Sequence, residues 1–186
     1  MVRALLLPLL VACAAPAPPP DADALARSGA QLYRTGNWRG ALRELDAALA
    51  LDPEHFDALV HRALLYSELG EPERAIADAQ RSIVSRPEHP GGFHALGRAC
   101  LSNGELEAAI NGFSRAVELD PRHADAYAGR GWATEKLPPS KSNLRKAAAD
   151  LSRALRVAPS EWTDRPRAEA AVTRIREALR RLEAEY

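Results

Sequence analysis

Three histidines, His55, His89 and His123, are the residues whose type and spacing first suggest chemistry, because imidazole is the commonest metal ligand and general base. They stand 34 residues apart, and each lies two residues after a proline, Pro53, Pro87 or Pro121. Such spacing makes them one position of a repeat copied three times. Equivalent positions on packed neighbouring helices are on the order of 10 Å apart, whereas zinc–nitrogen bonds are about 2.0–2.1 Å. A shared metal site is therefore not expected, and a loop position is. Cys100 falls on the expected buried face of a helix, without a local histidine or helix start to lower its thiol pKa, and reads as a small core residue. The chain contains no P-loop, His-Glu-x-x-His, Gly-x-Ser-x-Gly or Cys-x-x-Cys motif. A non-enzymatic chain without metal or cofactor is expected.

With 25 basic and 25 acidic residues in 186, the net charge of zero excludes a strongly basic nucleic-acid binder. Aromatic residues are 5% of the chain, and the apolar fraction leans on Ala and Leu, which favour helix. From Lys141 to Arg156, five basic residues face Asp150 alone, a solvated helix face without the interleaved aromatics of nucleic-acid contacts.

The elements that would position any site follow from the same period. Gly36, Gly70 and Gly104 repeat with it, as do Ala41, Ala75 and Ala109, and Gly29, Ala63, Gly97 and Gly131 extend a fourth copy. In that copy Ala147 and Pro159 arrive four residues late, so an insertion is placed at 138–141, in the turn between two helices. Each unit reads as helix, turn, helix, with small residues such as Gly29 and Ala41 letting the pair approach.

The strings Gly36-Asn-Trp-Arg-Gly-Ala41, Ala48-Leu-Ala-Leu-Asp-Pro53, Gly104-Glu-Leu-Glu-Ala-Ala-Ile110 and Ala116-Val-Glu-Leu-Asp-Pro121 resemble the tetratricopeptide repeat. The resemblance implies an all-α, right-handed α-solenoid of about four repeats, 22–55, 56–89, 90–123 and 124–161. Arg62 and Arg130 replace the usual Leu, and Cys100 and Thr134 the usual Tyr. The last apolar face needs a cap, supplied by 162–186, where Ala168, Ala171, Val172, Ile175, Leu179, Leu182 and Tyr186 recur at helical spacing.

In this family the first helices of successive repeats line a concave groove that receives partner segments. Carried to this chain, the resemblance implies contact residues Tyr33, Val60, Leu64, His94, Arg98, Leu101, Trp132 and Glu135. Trp, Tyr and Arg among them are the types that dominate interface hot spots. Trp132 reads equally as packing against the insertion or the capping helix, and Trp38 and Trp162 read first as packing residues. The clamp by which some family members grip acidic chaperone tails needs Lys, Asn, Asn, Lys and Arg, where this chain has Ala26, Ala30, His61, Gly91 and Ala95. No carboxylate clamp for a chaperone is expected.

The chain opens with Arg3 and an apolar run from Ala4 to Ala12, too short to span a bilayer, followed by Cys13 and the prolines Pro16 and Pro18–Pro20. Leu10-Val11-Ala12-Cys13 resembles the lipobox of bacterial lipoproteins. That implies a signal peptide at 1–12, a lipid anchor on Cys13 and an extended stalk at 13–21. Ordinary cleavage near Ala15 or Ala17, giving a periplasmic or secreted unlipidated protein, is the alternative. Ala14 resembles the pattern of lipoproteins sent to the outer membrane. The expected function is a protein-interaction scaffold in the bacterial cell envelope, facing the periplasm and binding another envelope protein, as pilotins and cell-wall hydrolase adaptors do. A small-ligand or glycan-binding accessory domain is the rival.

Overall fold

The computed structural model describes residues 21–184. The lipobox, Cys13, the stalk prolines and Tyr186 lie outside the described residues. The helices run in antiparallel pairs: α1 (Ala22–Arg34) with α2 (Trp38–Leu51), α3 (Phe56–Leu69) with α4 (Pro72–Ser85), α5 (Pro90–Ser102) with α6 (Leu106–Leu119) and α7 (Ala124–Glu135) with α8 (Lys141–Val157). A final helix, α9 (Arg165–Ala184), packs chiefly on α8 and reaches α7 through side chains, whereas α1, α3, α5 and α7 touch in succession.

Small residues set the spacing within pairs. A Cβ on Gly29 would stand 2.7 Å from Leu45; one on Gly97 and one on Gly129 would stand 2.7 and 2.5 Å from the ring of Phe113, so α5, α6 and α7 close around that ring only because Gly97 and Gly129 lack side chains. The first three turns share a glycine at positive φ, 77° at Gly36, 73° at Gly70 and 79° at Gly104, a conformation other residues adopt at a cost.

The repeated histidines are N-caps. The Nδ1 atoms of His55, His89 and His123 accept the backbone N–H of Ala58, Gly91 and Ala126 at 3.2, 3.1 and 3.3 Å, satisfying donors that a helix start leaves unpaired. Each stands at the last residue of a connecting loop and caps the helix that follows. Ser, Thr, Asp and Asn are the usual capping residues, so histidine gave no signal in the sequence. Of the expected insertion at 138–141, residues 138–140 lie in the turn and Lys141 opens α8. The loop is 136–140, and α8, with 17 residues against 14 in α2, α4 and α6, takes up the remainder as an extra turn at its start. Ser140 caps that start, accepting the Asn143 N–H at 3.0 Å.

The departures at Arg62 and Arg130 do not leave voids. Arg62 Nε and Nη2 donate to the two oxygens of Asp78 at 2.7 and 2.9 Å while Nη1 reaches Asp46 at 2.7 Å. Arg130 does the same with Asp150 at 2.8 and 2.7 Å and with the Ser114 hydroxyl at 3.2 Å. Each guanidinium thus ties a repeat's first helix to its own second helix and to the one before.

α9 supplies the cap. Ala168, Ala171, Val172 and Ile175 are buried with Leu144, Leu151 and Trp132 in one cluster, and Leu179 and Leu182 pack at its edge.

Candidate partner-binding groove

The first helices of the pairs form one concave face. Its central cavity, about 480 Å³, runs diagonally from the end of α1, at Tyr33, across Leu64 on α3 and Arg98 on α5 to Asp125 at the start of α7. The connector between α8 and α9 closes the far side, where Trp162 donates its Nε1–H to Asp125 at 2.6 Å.

Four of the expected contact residues meet in this cavity: Tyr33, Leu64, His94 and Arg98. Arg98 reaches across to Glu68 of α3 in an ion pair that stands between the central cavity and a smaller one of about 250 Å³. Leu101 lines the smaller cavity. His94 is only 8% exposed, its ring 4.9 Å from His123 and 5.9 Å from Phe113, with Nε2 buried and without a partner among the described residues. Burial first, then the neighbouring His123 and Arg98, holds its pKa well below the ordinary value, so it is neutral at pH 7. Val60 lies beneath the face, buried with Phe56 and Ala63.

Trp132 is 7% exposed and packs in the core under α8 and α9, with Arg167 stacked 4.0 Å above its ring, while it still lines the cavities at this end of the face. Glu135 accepts Nε and Nη2 of Arg174 at 3.0 and 2.7 Å, a tie between α7 and α9 rather than a free contact. Conversely, Trp38, expected to pack, is 42% exposed and lines the central cavity opposite Trp162. It follows the Asn37 cap at the very start of α2, where a side chain lies outside the helix pair.

Charge changes along the face. At the α1–α3 end, a pocket of about 190 Å³ holds Asp23, Asp57 and Arg27 with His55 and His61, and His55 Nε2 meets Asp23 at 2.9 Å. At the α7–α9 end Lys136, Arg167 and Arg174 gather around Glu135. Among the described residues no group of three or more His, Cys, Asp or Glu is placed to hold a metal ion. No described helix is long and apolar enough to cross a membrane.

Two models of the tetratricopeptide repeat match the sequence, one over residues 24–92 and one over 97–137. The chain belongs to the tetratricopeptide repeat family. Outer dynein arm-docking complex subunit 4 of Xenopus laevis is 33% identical over 93 residues, half of this chain and 18% of that protein. The curated relatives are longer; this chain spans 18–35% of their length. A tetratricopeptide repeat protein of Thermus thermophilus has a similar structure, with TM-score 0.72, 25% identity and coverage of 87% of this chain and 84% of that one. Pseudomonas aeruginosa pilF shares the fold at TM-score 0.70 and 18% identity, over 86% of this chain and 69% of its own. As a tetratricopeptide repeat protein, the chain is a helical interaction scaffold.

Proposed function

We propose that the chain is a non-catalytic scaffold, lipid-anchored at Cys13 in a bacterial cell envelope, whose concave face receives an extended segment of a partner protein. The observation that carries this reading is the central cavity: four successive repeats contribute side chains to one trough, with Tyr33, Trp38 and Trp162 offering aromatic surface and Arg98, Glu68 and Asp125 offering polar contacts. The first repeat domain of Spaghetti (RPAP3), solved bound to an HSP90 peptide, shares the fold at 20% identity and TM-score 0.57. This chain lacks the clamp residues at Ala26, Ala30, His61, Gly91 and Ala95, so a different segment is its partner.

The test is crosslinking and affinity capture in the native host, comparing the natural chain with Tyr33→Ala/Trp38→Ala after circular dichroism shows both folded. A partner captured by the first and lost from the second is expected; unchanged capture moves the binding face elsewhere. Fatty-acid labelling of the natural chain beside Cys13→Ser tests the anchor, and equal labelling of both overturns it.

A further inference from the structure

Because α9 packs on α8 without pairing with α7, a cleft of about 470 Å³ opens between α7 and α9 at the end of the groove, beside the smaller cavity. Trp132, Lys136 and Arg167 line both spaces. The two carboxylates that face them are already matched, Glu135 by Arg174 and Glu68 by Arg98. Lys136 and Arg167 are exposed and, among the described residues, form no ion pair, so this end of the groove carries uncompensated positive charge.

A second observation points the same way. The Trp132 side chain is more than nine-tenths buried against the cleft, yet its Nε1–H has no acceptor. A buried donor left unpaired is uncommon and costly. Of its neighbours in the two cavities, Lys136, Arg167 and Arg174 are donors only. The site therefore brings together two cations without a carboxylate partner, Lys136 and Arg167, and a stranded N–H.

We propose that the α7–α9 cleft binds a carboxylate of the partner segment, held between Lys136 and Arg167 with the Trp132 Nε1–H as a third donor. Arg167 now stacks over the indole face, and swinging its guanidinium onto the carboxylate widens the cleft beside the ring. The opposite end of the groove sets Asp23 and Asp57 beside Arg27 and His55 and has no such excess of positive charge. The partner segment therefore lies with its acidic group at α9, and charge sets its direction. This rests on the groove reading given above but uses side chains of the capping helix, and so survives or fails separately.

The test titrates the full chain with hexaglutamate, hexalysine and inorganic phosphate while following the Trp132 indole N–H resonance, assigned through Trp132→Phe. Hexaglutamate is expected to move that resonance saturably and hexalysine to leave it in place. Lys136→Ala/Arg167→Ala should weaken hexaglutamate binding by about tenfold or more, as expected on losing two charge-assisted contacts. Arg180→Ala/Arg181→Ala, removing exposed α9 charges remote from the cleft, should leave it unchanged. The proposal is overturned if hexaglutamate does not move the resonance, if both double variants weaken binding equally, or if only phosphate binds. Should hexaglutamate fail while Tyr33-dependent capture of a partner persists, the carboxylate site falls and the groove stands.

Discussion

Arg62 of α3 and Asp78 of α4 form a two-pronged ion pair, at 2.7 and 2.9 Å, at a position where the family pattern has an aliphatic contact. The fourth repeat rebuilds the same pair from Arg130 and Asp150, while the third has Leu96 and Gly112 in those columns. Two chemically different solutions thus serve one packing position in the second to fourth repeats. Arg62→Ala strands a buried carboxylate and is expected to cost about 2–3 kcal/mol in urea unfolding. That is below the full penalty for an orphaned charge, since Arg81 stands 3.8 Å from Asp78. Arg62→Leu/Asp78→Ala should lose less than Arg62→Ala alone, and a larger loss would contradict this account.

Acid should destabilise the fold. Burial, the largest influence on each, lowers the pKa of His61, His94 and His123 below the ordinary imidazole value. A depressed folded value means that the unfolded chain takes up protons first. Stability is full above about pH 6.5 and is lost as pH falls below it, toward the folded values. Urea midpoints at successive pH values between neutral and mildly acidic should decline on the acid side, and His94→Gln should flatten the decline. A midpoint constant across that range would refute the linkage.

The capping histidines act through Nδ1 as an acceptor. His123→Ala should cost about 1 kcal/mol, while His123→Asn, which restores an acceptor at the same place, should recover most of it. Thermal unfolding of the two variants makes the comparison, and equal losses would assign the histidine a packing role instead.

Gly129→Ala places a methyl 2.5 Å from Phe113 Cζ, inside the core shared by α5, α6 and α7. Overpacking of this kind is expected to cost about 1–3 kcal/mol. Thermal unfolding should show it, whereas Gly36→Ala, where a Cβ meets nothing within 4 Å, pays only for its positive φ.

Removing 162–186 uncovers Leu144, Leu151 and Trp132 and takes away the Trp162–Asp125 and Arg174–Glu135 ties. Limited proteolysis of the truncated chain should show rapid cleavage in α7 and α8. A core as resistant as the intact chain would mean that the fourth repeat closes without its cap.

The 34-residue period determined the helix pairs, the small residues between them and the glycine turns, because each is a local requirement repeated in register. Tyr33, Leu64, His94 and Arg98 reach one cavity for the same reason: they occupy equivalent faces of neighbouring helices. The sequence pattern did not reveal which of those faces stay open. Trp132 is covered and Glu135 is paired because α9 lies where it does, and Trp38 joins the cavity because the connector with Trp162 closes the opposite side. Exposure depends on distant segments that obey no period. The unpaired Trp132 N–H and the cations Lys136 and Arg167 meet only because α9 lies across this end of the groove, which the tertiary structure alone decided.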